Sequence, residues 1–131
     1  MRGTLVLAAV IVLSAACGPS FSLSLRAFGN EPFWNVVISA DSGIFYTRLG
    51  EPGLGFPYAA PTKPENSTPT FIFGPVTDGS GAHEIEIRIE ERECPDTMAD
   101  IVHPMRATVV VDGEELTGCA RPLGDVTEER P

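Results

Sequence analysis

Between residues 22 and 123 apolar and polar side chains alternate in short runs, broken by Gly, Pro, Asn or Asp. The clearest run is HEIEIRIE. Ile85, Ile87 and Ile89 fall in one phase, and Glu84, Glu86, Arg88 and Glu90 in the other. A two-residue period with one apolar face predicts a strand in an antiparallel sheet, one side in the core and one in water. The run PFWNVVIS repeats the pattern, with Trp34, Val36 and Ile38 opposite Asn35, Val37 and Ser39. The turn ADSG follows, and residues 44–49 return, so the two runs predict a hairpin. Residues 22–28, with Leu23 and Leu25 in phase, predict a preceding strand, and 70–74 a short later one. MRATVVVDGEELTGC predicts two strands around Asp112-Gly113, a strong two-residue hairpin signal that sets Val109 across from Leu116. No window carries a long amphipathic helix. One helical turn is predicted over 96–102, capped by Asp96. The expected fold is all-β, a small antiparallel barrel or closed sandwich with that short helical turn and one disulfide.

Two stretches fall outside the alternation. Residues 50–69 are rich in Pro and Gly around Phe56 and Tyr58. A structureless loop of that length is unusual in a compact domain, so it reads as an extended edge, a functional loop or a mobile stretch. The first residues, MRGTLVLAAVIVLSAAC, join one positive charge to a short apolar run that is too short for a good membrane-spanning helix. They read as a secretory signal, and LSAAC resembles a bacterial lipobox with Cys17 as the lipidated new N-terminus. The expected organisation is a signal peptide at 1–16, a lipidated tether at 17–22, a β domain at 23–123 and a flexible acidic tail at 124–131. Gly18 follows Cys17 where Asp would signal inner-membrane retention, so an outer-membrane anchor facing the periplasm is expected.

Export changes the reading of the cysteines. There are three, Cys17, Cys94 and Cys119. With Cys17 carrying lipid, two remain in an oxidising compartment, which favours their pairing. Such a bond would stabilise a small domain by roughly 3–4 kcal/mol on the chain-entropy account. The alternatives for ERECPDTMAD are a metal site with His83 and His103, or a nucleophilic Cys94. No CxxC or HxxxH pair supports the first. The compartment disfavours the second. No cofactor, metal or catalytic residue is therefore assigned.

The formal net charge is −9, and loss of Arg2 with the leader takes it one unit further negative. That excludes a nucleic-acid partner, which needs a basic surface. It permits a cationic envelope protein or a small ligand as partner, beside the membrane reached through the lipid. NST at Asn66 matches a glycosylation sequon, which the bacterial lipobox makes a coincidence. In GNEPFW, Asn30 and Glu31 stand beside Trp34 and are candidate binding residues, while the same segment also reads as a turn, a strand start and a core Trp. Phe56 and Tyr58, on a loop, are the other candidates, expected to pack near Trp34 at one rim or else to close the barrel end.

Three motifs in order, FGNEPFW at 28–34, CPDTMAD at 94–100 and GCARPL at 118–123, resemble a family of small proteobacterial envelope lipoproteins. The likeness covers residues 26 to 123. Ala99 stands where the family usually has Ser, and His103 where an aromatic is commoner before Pro104. Relatives occur beside, or fused to, membrane-bound inhibitors of C-type lysozyme and META-type lipoproteins. The resemblance implies an envelope setting. The expected function is non-enzymatic, a binding or stress-protection module. An inhibitor of a basic lysozyme-like hydrolase is the alternative, and a small envelope enzyme the weaker one.

Overall fold

A computed structural model describes residues 24–65, 69–96 and 98–123. The signal peptide, Cys17, the tether, the sequon at Asn66 and the acidic tail lie outside the described residues. Ten strands follow in order: β1 (Leu25–Asn30), β2 (Phe33–Ser39), β3 (Gly43–Arg48), β4 (Leu54–Phe56), β5 (Thr70–Thr77), β6 (Glu84–Glu90), β7 (Cys94–Asp96), β8 (Ile101–His103), β9 (Met105–Val111) and β10 (Glu114–Pro122). Eight form one antiparallel sheet in the order β4-β3-β2-β1-β10-β9-β6-β5, curled into a nearly closed barrel. β7 and β8 form a separate two-stranded sheet.

The alternation in the sequence decides which side chains enter the barrel. Ile85, Ile87, Ile89, Val36, Ile38 and Val109 are fully buried. Each lies in the apolar phase of its strand. Truncating one such residue to Ala would cost about 2–5 kcal/mol through lost transfer energy and the cavity left behind. The Asp112-Gly113 hairpin closes with Val109 across from Leu116, as its two-residue turn requires. Asp112 and Gly113 both have positive φ, as a tight hairpin turn of this hand needs.

β4 and β5 are the sheet's two outer strands, and beyond β4 Thr62 bridges Ile72 of β5 through two backbone hydrogen bonds, of 2.8 and 2.9 Å. The described part of the stretch 50–69 thus holds a short strand and a bridge, the extended-edge outcome of the three anticipated for it. β5 runs three residues past the predicted end at 74, through an irregularity between Phe73 and Val76. Gly74 has φ 88° there, and a Cβ on it would come within 2.7 Å of the Ile85 carbonyl.

The expected helical turn over 96–102 is replaced by the β7–β8 hairpin. Asp96 does act locally as an acceptor, its Oδ1 taking the Met98 N–H at 2.9 Å. The chain then reverses instead of coiling. Asp100 adopts φ 55°, a left-handed conformation that stops a right-handed helix, and the backbone of β7 finds its partners on β8.

Candidate functional site

Antiparallel register lines up the outward side chains of β1, β2 and β3 in rows. One row runs Arg26, Val37, Phe45; the next Phe28, Asn35, Thr47. A third holds Asn30 and Phe33, with Leu49 beside them through its N–H to the Phe33 carbonyl. The result is an outer sheet face with aromatics where solvent-facing polar residues are usual. Phe33 is 50% exposed and Leu49 77%. These rows wall a concavity of about 480 Å³ lined by Arg26, Phe28, Asn30, Phe33, Asn35 and Thr47, and also by Trp34 and Arg48.

Several contacts hold these side chains in place. Arg26 Nε donates to Asn35 Oδ1 at 2.7 Å, and the guanidinium lies 5.6 Å from the centre of the Phe28 ring. The other side of Phe28 meets the His103 ring edge-on at 4.8 Å. A guanidinium over an aromatic face and a T-shaped ring pair are both favourable geometries. Trp34 sits where two glycines let it. A Cβ on Gly29 would overlap the Trp34 indole, and one on Gly118 would overlap the Phe28 carbonyl. The Gly-Asn of GNEPFW and the Gly-Cys of GCARPL are therefore close-approach positions around one Trp.

The β7–β8 hairpin lies outside the barrel and backs this face. Cys119 pairs with Phe28 in register and points outward with it. It is bonded to Cys94, with a Cα–Cα separation of 5.6 Å. Next to the bond, Asp96 Oδ1 accepts from Asn30 Nδ2 at 3.2 Å, and Asp96 Oδ2 lies 3.3 Å from His103 Nε2. The Met98 N–H, followed by His103 and Asn30, holds the Asp96 carboxyl below the usual carboxylate range. Asp96 is thus ionised at neutral pH and can only accept, so the Nε2 of His103 is the donor in their contact. Of the readings offered for ERECPDTMAD the structure shows the disulfide, Cys94–Cys119, with Asp96 tying both Asn30 and His103.

A second concavity, of about 380 Å³, opens at the neighbouring barrel end, lined by Tyr46, Arg48, Glu51, Leu54, Asp112 and Glu114 among others. Its rim is ion-paired, with Arg48 Nη1 to Glu114 Oε2 at 2.7 Å and His83 Nδ1 to Asp112 Oδ2 at 2.6 Å. The carboxylate of Asp112 raises the His83 pKa, and His83, then the Glu84 N–H, lower that of Asp112. Burial is the main cause raising the Tyr46 phenol. Among the described residues, no group of three or more His, Cys, Asp or Glu is placed to hold a metal ion.

The sequence candidates fall in different places. Asn30 lines the first concavity, Glu31 is exposed in the β1–β2 turn, and Trp34 is a core residue that also lines that concavity. Phe56 does not pack at the rim with Trp34. It pairs with Ile44, whereas Trp34 pairs with Arg48 at the other end of β3, and Phe56 is buried in the core. Tyr58 is partly buried against the same core. Phe56 fills the core and has no area left to offer a partner, while Tyr58 keeps part of its surface exposed. Residues 50–69 do supply one close approach, Gly53, where a Cβ would come within 2.6 Å of the Phe45 ring. Sequence reasoning missed Arg26, Phe28, Phe33 and Leu49. Their signal was phase: Phe28 is out of step with Leu25, and Phe33 out of step with Trp34.

In comparisons with protein-family models, curated proteins and solved structures, the chain matches none.

Proposed function

We propose that this chain is a lipid-anchored, periplasm-facing binding module of a bacterial envelope, non-catalytic, which engages its ligand on the outer face of β1, β2 and β3. One observation carries the reading: half-exposed Phe33 and exposed Leu49 border a concavity whose other walls are fixed by neighbours. Apolar walls with a few placed polar groups are the usual make-up of a ligand site. The lipid anchor rests on the Cys17 motif.

Envelope fractionation and ligand capture test the two halves. The native chain should take up labelled palmitate and sediment with membranes, and Cys17→Ser should do neither, since stable anchoring needs more than one acyl chain. Phe33→Ser with Leu49→Ser should lose capture of envelope components at an unchanged melting temperature. Native protein without palmitate, or capture that survives the double substitution, would defeat the corresponding half.

The inhibitor reading draws on a different observation. The outward phase of β6 carries Glu84, Glu86 and Glu90 in a strongly acidic chain, which suits a basic hydrolase. Capture through that face would weaken steeply with salt and would not depend on Phe33.

A further inference from the structure

Little of the β7–β8 hairpin is packed against the barrel. In its two strands Cys94 and His103 are buried and Asp96 is half-buried, while Pro95, Ile101 and Val102 are exposed. Met98, in the turn between the strands, is 69% exposed. The paired backbone is the hairpin's own, Cys94 with His103 and Asp96 with Ile101. What ties it to β1 and β10 is the Cys94–Cys119 bond, the Asn30–Asp96 hydrogen bond of 3.2 Å and the ring of His103 against Phe28. An element with so little buried apolar surface belongs to the low end of local stability, and here a covalent bond holds it down.

The bond stands at a hollow. A concavity of about 250 Å³ is lined by Cys94, Cys119, Asn30, Asp96, Arg106 and Thr117 among others. Cys94 and Cys119 are only 7% and 6% exposed, and this hollow is where a small thiol meets them. Arg106 stands directly across from Cys119 in the β9–β10 register, with its Nε given to the Glu93 carbonyl, a neutral acceptor. A guanidinium beside a cysteine favours the thiolate, which makes Cys119 the better leaving sulfur. Each sulfur also lies near a carbonyl oxygen, Cys94 Sγ 3.5 Å from that of Gly118 and Cys119 Sγ 3.4 Å from that of Cys94. The thiols of a reduced chain thus have acceptors in place, and reduction orphans no buried donor.

We propose that Cys94–Cys119 is a reversible redox latch, closed by oxidation and opened by a dithiol, and that the β7–β8 hairpin is the flap it holds. A thiolate of the dithiol attacks the Cys94 sulfur, the S–S bond breaks, and Cys119 leaves as a thiolate and takes a proton. The second thiolate of the dithiol then attacks the mixed disulfide and frees Cys94, which is protonated in turn. Two electrons pass to the protein, its two new protons replace the two that the dithiol gives up, and the dithiol leaves as a disulfide. The hairpin is then held by noncovalent contacts alone. Phe28 and Asn30 line both this hollow and the concavity of the β1–β3 face, so an open flap withdraws support from one wall of that concavity. The latch goes beyond the binding role of that face and does not need it, because it is read out in thiols and amides.

The chain carrying Cys17→Ser has Cys94 and Cys119 as its two cysteines. It would be exposed to dithiothreitol without denaturant, with thiols counted by alkylation and mass, and amide exchange followed on the reduced chain. Both thiols should appear at a rate proportional to the dithiothreitol concentration and unchanged by urea below the unfolding transition, because the bond is reached in the folded barrel. In the reduced chain residues 94–103 should exchange at least roughly tenfold faster while β6 and β9 keep their protection, and oxidised glutathione should reverse the change. Arg106→Gln should slow reduction, and Arg88→Gln on β6 should not. A rate that climbs steeply with urea would mean that only the unfolded chain is reduced. Unchanged exchange in 94–103 would show that noncovalent contacts hold the flap, and lost protection in β6 and β9 that the barrel itself depends on the bond. Any of these three results overturns the latch. Reduction at native speed in Arg106→Gln overturns the choice of Cys119 as leaving sulfur.

Discussion

Gly118 and Gly29 show how much of this structure turns on single atoms. Both lie where β1 and β10 bring the backbone against Trp34, and a Cβ at Gly118 would overlap the Phe28 carbonyl, which cannot move without breaking the pairing. Gly118→Ala is therefore expected to destabilise the domain by about 1–3 kcal/mol, the range for overpacking. Gly55→Ala, where a Cβ meets open space, should change stability by less than roughly 0.5 kcal/mol. Urea titration of the two variants checks the contrast. His83 and Asp112 give a second residue-scale expectation. His83 has a raised pKa, so its contribution is complete below the unfolded value of about 6.5 and is lost as pH climbs through the folded pKa above it. Asp112 has a lowered pKa, so its contribution is complete above about 3.9 and is lost as pH falls through the folded value below it. The pair acts in the window between. Asp112→Asn keeps a residue tolerant of positive φ but removes the charge, and an NMR titration should find the His83 pKa lower than in the native chain. An unmoved His83 pKa would show that Asp112 is not its cause.

At the scale of elements, the β7–β8 hairpin is an added piece that the barrel does not need for closure. It is attached through Cys94–Cys119, through Asp96 to Asn30, and through His103 against Phe28. Cys94→Ala should lower stability by about 2–5 kcal/mol. It should also loosen Phe28, one wall of the concavity, seen as faster amide exchange in 94–103 and 26–30 than in β6 and β9. Uniform loss of protection across all strands would instead mean that the clamp supports the barrel as a whole. The strands of the barrel were legible in the sequence because their chemistry is local: Ile85, Ile87 and Ile89 alternate with charges, and Asp112-Gly113 can close little but a tight hairpin. The pairing of the two cysteines was legible because the expected export signal leaves Cys94 and Cys119 as the two cysteines free to pair. The hairpin was not. The short stretch 94–103 shows little alternation, and the same Asp96 that would cap a helix also makes a turn between strands. The site was half legible for a related reason. Phase separates Trp34 from Asn35 at once, but whether Phe33 and Phe28 stand on a bare face or beneath another element depends on which strands become neighbours. That is fixed by contacts distant in sequence, such as Phe28 with Cys119 and with His103.

For the whole molecule, the arrangement divides the surface by task. The β7–β8 hairpin braces β1 and β10, and the outer faces of β1–β3 and β6 point to different sides. One of those faces carries exposed aromatics, and the other three Glu and one Arg. The proposed function depends on the first being occupied in the cell. A photo-crosslinking amino acid placed at Phe33 in the otherwise native chain, with a second chain carrying it at Arg88, measures this directly. Irradiation of intact cells should yield a discrete adduct from position 33, reduced by Arg26→Gln, and none from position 88. Adducts from position 88 alone, or equal adducts from both positions, would contradict the account.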